Sequence, residues 1–442
     1  MRNKTSQCKH RVGIIADDLT GAADSGIQFA KKGCGTKLLF DIPKESNLAF
    51  YDVTVINTNS RDLSINDAYN KAYQVAALLK RNDINHLFKK IDSLLRGNWE
   101  AEVHAIADIY QPDFVVIAPA YPVMGRTTVK GSQLINGKAI HESEVANDTK
   151  FPVDTSNILD MVQQQLSSEA DIQNISTHEL RKDHHLWKSK LQNMKQQAGV
   201  KYLVFDIQYD SDLQQVVNHF TDLQGFKMLW VGTAGIAQYL PKMLTSSKNY
   251  VSPPSDNNGP VLVVAGSKTT VTRNQIKELT VELNVPTVEL NPLMIFEDRN
   301  GNIHSDLVEQ TYQFLIQNKH VVLCIKHLSS QQQAHLYELG QFYGYTNIEV
   351  GNKIVEQLGE ITKGVMEKIP VENLVLTGGD TAIAVCKILG VFNMNLFREI
   401  EPGIPLGQLI GDRNINVVTK SGGFGDNKSL VNILNTLKGD VK

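Results

Sequence analysis

Short apolar runs that end in polar or glycine-rich turns recur along this chain, and most are followed by residues with helical spacing. In the first half, Arg11–Ala16, Lys37–Phe40, Val53–Asn57, Asn85–Asp92, Asp113–Pro122, Lys201–Asp206 and Met228–Gly232 read as strands. In the second half, Val261–Ala265, Val321–Ile325, Leu374–Leu376, Ile404–Leu409 and Asn416–Lys420 do so. Unbroken Val/Ile/Leu runs between turn signals mark strands buried on both faces, as in parallel sheets. Helices are predicted over Ile65–Leu79 with Ser64 as cap, from Trp99, from Val271 or Thr272, and over Ala382–Leu389. Alternating strands and helices predict an α/β protein with largely parallel sheets. Gly125–Thr128 and Gly131–Gly137 read as a hairpin or lid loop. Asn147–Gln197 is polar with charged helical stretches, and its pair His184-His185 reads as surface.

One stretch interrupts the pattern. Ser246–Pro260 holds Ser, Pro, Asn, Asp and Gly with little apolar material. It predicts two α/β domains, 1–245 and 261–442, joined by a linker over 246–260, with the active site in the cleft between them. The part near Ser252–Gly259 is the natural hinge. A length of 442 residues fits two or three domains. With 42% hydrophobic and 21% charged residues the composition is ordinary for a globular protein.

Net charge is −3 and no basic run exceeds a pair, which argues against nucleic acid as a partner. Cys8, Cys34, Cys324 and Cys386 are scattered without a CxxC, so reduced thiols are expected rather than a disulfide frame or zinc site. No apolar run approaches ~18 residues, so no membrane span is expected. Met1–Arg11 lacks the apolar core of a signal segment, and a cytoplasmic protein is the expectation. A homodimer is the base-rate guess.

Candidate chemistry lies at the strand ends, where open α/β sheets bind ligands. Asp17 and Asp18 follow the first strand and could bind sugar hydroxyls, hold a metal or take a proton, or one could cap the next helix. Arg61 follows another strand, and a guanidinium there suits a bidentate grip on a carboxylate. Lys90, Asp92, Ser93 and Arg96 cluster at a third and suit an anionic, hydroxylated small molecule. Arg126 reads as a turn arginine, with a contribution of cationic character as the alternative. In the second half Gly266-Ser267, Gly378-Gly379 and Gly422-Gly423 are three glycine turns at strand ends, each with free N–H groups to offer phosphate. Asp380 or Thr381 could cap the helix after the second. No Gly-Lys-Ser/Thr follows, so this is not a Walker loop. A phosphate-binding half and a carboxylate- and hydroxyl-binding half together suggest a small-molecule kinase. A dinucleotide-dependent oxidoreductase lacks its GxGxxG unit at the first strand. A non-catalytic ligand-binding protein would have no need of the glycine turns.

The motifs in their joint order resemble the four-carbon acid sugar kinase family over about residues 11 to 432. They are IADDLTGAADSG (Ile15–Gly26), NSR (Asn59–Arg61), KKIDSLLRGN (Lys89–Asn98), APAYPVMGRTT (Ala118–Thr128), AGS (Ala265–Ser267), TGGDTA (Thr377–Ala382), EPGIPLG (Glu401–Gly407) and KSGGFG (Lys420–Gly425). The resemblance implies an N-terminal acid-sugar domain, a C-terminal ATP domain, and transfer of the γ-phosphate to the 4-hydroxyl of a tetronate such as threonate or erythronate. It makes Asp17, Arg61, Lys90, Ile91, Asp92 and Ser93 acid-sugar contacts. It makes Ser267, Gly378, Gly379, Asp380, Thr381 and Gly422 or Gly423 contacts of ATP. Leu94 stands where many relatives carry Thr. TGGDTA stands where the 3-oxo-tetronate kinases have a GGETS-like run, which tilts the expectation toward threonate or erythronate. The mechanism expected is that Arg61 and Lys90 hold the carboxylate or hydroxyls, and that Asp17 or Asp92 orients the 4-hydroxyl and accepts its proton late. Mg²⁺ would be bound mostly by water and phosphate, with no protein ligand assigned.

Overall fold

The apolar runs form strands at the expected places. The computed structural model describes residues 11–43, 48, 51–143, 146, 153–166, 171–197, 199–221, 223, 225–243, 259–297 and 302–438. The chain divides into two compact units, 1–250 and 251–442. The linker expected over 246–260 lies outside the described residues as far as 258.

The first unit contains β1 (Val12–Ala16), β2 (Thr36–Leu39), β3 (Val53–Asn57), β4 (His86–Lys90), β5 (Phe114–Ala118), β6 (Arg126–Val129), β7 (Ser132–Ile135), β8 (Lys138–Ala139), β9 (Asp171–Ile175), β10 (Lys201–Phe205) and β11 (Met228–Gly232). Within this unit the sheet runs β2-β3-β1-β4-β11-β5-β10-β9, every neighbouring pair parallel. β6, β7 and β8 form a separate antiparallel sheet, the hairpin read from the glycines. Every residue of β1 is buried, as a central strand covered on both faces must be. The helix Ile65–Arg81 is capped by Ser64, whose hydroxyl accepts from the Asp67 amide at 3.2 Å. Its Ala72, Val75, Ala76 and Leu79 recur at helical spacing and pack into a core with Ile15, Ile56, Leu87 and Trp99.

Two readings of the polar segment change. β9 lies where only helical stretches were expected. Its sequence DIQNI buries one residue fully, because an edge strand needs little apolar signal. The pair His184-His185 opens the helix His184–Lys195. His185 is exposed, but the ring of His184 stacks on His219 with centroids 5.6 Å apart, so it is not a simple surface residue.

The second unit contains β12 (Val261–Ala265), β13 (Thr287–Leu290), β14 (Val321–Ile325), β15 (Asn373–Thr377), β16 (Asn393–Glu401), β17 (Ile404–Leu409) and β18 (Ile415–Lys420). Its order is β13-β14-β12-β15-β18-β17-β16. The pairs from β13 to β18 are parallel and the last two antiparallel. Val263, Val375, Val418, Leu430 and Leu434 share its core. The helix expected from Ala382 begins at Gly379 and ends at Ile388. Neither Asp380 nor Thr381 caps it, because both already lie in its first turn. Gly378 takes the cap position with φ +104°, and no side chain bonds there. The helix expected from Val271 or Thr272 starts at Thr270, capped by Thr269.

In each unit one strand is flanked on its two sides by strands that both follow it in the chain, so the connections run to opposite sides of the sheet. β1 lies between β3 and β4, and β12 lies between β14 and β15. Such switch points leave a crevice beyond the carboxyl ends of the strands. Cys34, Cys324 and Cys386 are buried free thiols. Among the described residues no helix is long and apolar enough to cross a membrane.

Candidate active site

In the first unit the pairing register sets Ala16 opposite both Asn57 and Lys90. The residues that follow these strand ends therefore meet at one level. Asp17 is 1% exposed and Arg61 13%. Arg61 Nε donates to Asp17 Oδ2 at 2.7 Å and Nη2 to Asp17 Oδ1 at 3.0 Å, a bidentate pair. Nη2 also donates to Asp18 Oδ1 at 2.8 Å, and Nη1 stands 3.9 Å from Asp92. Asp18 Oδ1 in turn accepts from the Gly21 amide at 3.0 Å and caps the helix Leu19–Ala30. Arg96 grips Asp92 in the same bidentate way, with Nε at 2.7 Å and Nη2 at 3.1 Å.

Burial alone would raise both carboxyls. For Asp17 the charge of Arg61, then those of Lys89 and Lys90, outweighs it and holds the group below the usual range. For Asp92 the charge of Arg61 and the hydrogen bond and charge of Arg96 do the same. Both are anions at neutral pH.

Neighbours in a strand point to opposite faces, which separates the two lysines of β4. Lys89 is fully buried and lies 3.0 Å from Glu102 of the helix Trp99–Tyr110. Glu102 also accepts from Ser60, and its burial raises it against the pull of Lys89. Lys90 lies on the other face, beside Gly21 at the start of the helix Leu19–Ala30. Ile91 is wholly buried within the hydrophobic core and its amide donates to Gly232 O at 2.8 Å, so its side chain has no access to a ligand. Ser93 is half-buried, and its carbonyl accepts from Gln133 Nε2 at 3.1 Å.

In the second unit Ala265 lies opposite Thr377, and Thr377 opposite Lys420. The three glycine turns therefore emerge side by side. The Gly266 amide donates to Thr377 O at 3.3 Å and the Gly378 amide to Lys420 O at 2.8 Å. Gly422 O accepts from Thr269 Oγ1 at 2.7 Å and Thr272 Oγ1 at 2.9 Å. A Cβ on Gly422 would overlap the Ser267 hydroxyl, so only glycine lets these turns approach this closely. Uncapped helix amides and a cleared backbone fit a phosphate chain. Thr381 is buried against Gly266, whereas Asp380 is exposed and Gly423 has open space around it. Among the described residues no three His, Cys, Asp or Glu side chains gather as a metal site. A divalent ion would fit here through phosphate oxygens and water.

Several residues at these ends were not singled out from the sequence. Lys420, fully buried, donates to Ser421 O at 2.8 Å and Phe424 O at 3.0 Å and so shapes the glycine loop. Its burial lowers it to about 8 against the pull of Glu401. Lys268, Arg273, Lys326 and His327 line a cavity of about 160 Å³ beside Ser267. Arg126, read as a turn residue, is half-buried, and burial lowers it while Asp92 attracts and Arg96 repels its charge. Its signal in the sequence was the adjoining glycine and its place in the APAYPVMGRTT stretch.

Two family models match the chain: "Sugar-binding N-terminal domain" over residues 12–240 and "Nucleotide-binding C-terminal domain" over 262–430. A D-threonate kinase of Salmonella typhimurium is 31% identical, over 95% of this chain and 97% of its own. A D-erythronate kinase of Heliobacterium modesticaldum is 29% identical over 94% of each. A 3-oxo-tetronate kinase of Haemophilus influenzae is 24% identical over 94% and 97%. A solved Haemophilus influenzae protein shares the fold with TM-score 0.74 and 23% identity, covering 96% of this chain and 100% of its own.

Proposed function

The chain belongs to the four-carbon acid sugar kinase family, and on that premise we propose that it transfers the γ-phosphoryl group of ATP to the 4-hydroxyl of D-threonate or D-erythronate. The observation that carries this is the Asp17–Arg61–Asp92 constellation at the switch point of the first sheet, with Lys90 beside it. It matches a small polyhydroxylated anion. The glycine turns of the second unit support ATP as donor.

Phosphoryl transfer asks for positioning and charge stabilisation more than covalent chemistry. Asp17 and Asp92, held as anions, orient the hydroxyls, and one of them accepts the 4-hydroxyl proton late. A weak base suffices for that, because the bond to phosphorus is formed loosely. Arg61 has its Nε and Nη2 on Asp17, so its first task is to hold that carboxylate in place. Gly379, Thr381, Ser267 and Gly422 hold the phosphate chain through backbone amides and hydroxyls, Gly378, whose own amide donates to Lys420 O, clears the approach, and Asp380 and Gly423 face solvent at the rim. Mg²⁺ bound to ATP supplies charge neutralisation on the phosphates.

The test is ADP release with MgATP against D- and L-threonate, D- and L-erythronate, the 3-oxo acid and no acid. One strong acid-dependent signal is expected, with D-threonate or D-erythronate. A signal with the 3-oxo acid alone would move the substrate within the family. A flat panel without ATP binding would leave a non-catalytic binding protein.

A further inference from the structure

Three arginines converge on the strand ends of the first unit, and two of them present the same edge to a carboxylate of the chain. Arg61 uses Nε and Nη2 on Asp17. Arg96 uses Nε and Nη2 on Asp92. The third, Arg126, opens β6 and spends Nη1 on the Met124 carbonyl. Its Nε is buried without a partner, and among the described residues the Nε/Nη2 edge has no acceptor. A buried guanidinium N–H without an acceptor is costly, on the order of 1–3 kcal/mol, so this edge is built for an acceptor the chain does not supply.

The position is held firmly. Gly125, at φ +73°, turns the chain into β6, and Thr128 exchanges backbone bonds with Ile207 at 2.8 and 2.9 Å. Gln133, fully buried on β7, donates to Ser93 O at 3.1 Å and Pro119 O at 3.3 Å, tying this hairpin to the Asp92–Arg96 loop. The charges acting on Arg126 are Asp92 and Arg96, so it faces the same cluster. Asp92 attracts its charge, but among the described residues no hydrogen bond joins the two.

We propose that Arg126 recognises the carboxylate of the acid sugar, donating from Nε and Nη2 in the bidentate geometry its two neighbours use on Asp17 and Asp92. Arg61 is thereby relieved of that task and acts as a positioning residue for Asp17. The inference rests on the kinase reading and names the group that makes the substrate an acid. A carboxylate supplies the two coplanar acceptors a guanidinium edge requires, and a hydroxymethyl group supplies one. Acid selectivity should therefore reside in this side chain, because a site built to bond one group rejects the analogue lacking it.

The experiment uses the full chain and two substrates that share the reacting hydroxyl: the preferred tetronate and the matching four-carbon polyol, which lacks the carboxylate. For Arg126→Gln the KM for the acid should rise about 100-fold with the KM for ATP unchanged, and the kcat/KM preference for acid over polyol should fall by the same factor. Arg126→Lys should restore part of that preference, since it keeps the charge and loses the fork. An unchanged acid KM, or a raised one with the acid-to-polyol ratio intact, would overturn the assignment. If the wild type phosphorylates no acid at all, the kinase reading fails by itself. Calorimetric titration with D-erythronate then decides Arg126 separately: binding lost in Arg126→Gln supports it, and equal binding overturns it.

Discussion

The two units solve ligand binding with the same sheet and opposite materials. At the ends of β1, β3 and β4 the first unit places Asp17, Arg61, Lys90 and Asp92, and what it offers is charged side chains. At the ends of β12, β15 and β18 the second unit places Gly266, Gly378 and Gly422, and what it offers is backbone. A charged constellation discriminates by the position of each side chain. A glycine cradle discriminates by the space left when side chains are withheld. The first suits a small acid that must be told from its isomers, the second a phosphate chain whose shape is always the same.

The comparison can be broken at three points. The largest effect is expected at the buried pair of Lys89 and Glu102, both fully enclosed. Glu102→Leu leaves Lys89 unpaired in the core and should cost about 3–5 kcal/mol of unfolding free energy in a denaturant titration. A cost near zero would mean that the charged half does not depend on its internal pairing. Next comes Gly422→Ala, whose added methyl meets Ser267. It should raise the KM for ATP about tenfold, or ~1.4 kcal/mol, and leave the acid KM alone. A shift in the acid KM instead would show that the two halves do not divide the work.

The smallest concerns Glu100, whose Oε2 is buried without a partner and which burial raises to about 7. The folded chain holds this proton more firmly than the unfolded one. Stability from it is therefore present below the ordinary value of 4.5 and is lost as pH rises to about 7. Discounted for partial exposure, the loss is about 1 kcal/mol. Glu100→Gln should flatten that part of the stability–pH curve, and an unaltered slope would remove Glu100 as its source.

Much of this was legible in the chain. Strand ends were readable because apolar runs stop abruptly at Asp17, Asn57 and the glycines, and parallel topology puts strand ends together. β9 was not readable, since DIQNI at a sheet edge alternates too weakly to signal burial. The start of the helix at Gly379 was misplaced because a glycine pair looks like a turn, whereas only Gly378 needs the left-handed φ. Arg126 was undervalued because the charges that act on it, Asp92 and Arg96, belong to another loop, which Gln133 of the same hairpin ties to it only in the folded sheet. Local spacing carries no trace of such a meeting.

A single atom, Asp18 Oδ1, accepts both from the amide that starts the helix Leu19–Ala30 and from the guanidinium of Arg61. Fraying of that first turn loosens the arginine, and a loosened arginine frees Asp17 to swing out of register. Competence and local order are thus one event at this atom. A chain warmed toward melting should therefore lose activity before most of its spectroscopic signal changes.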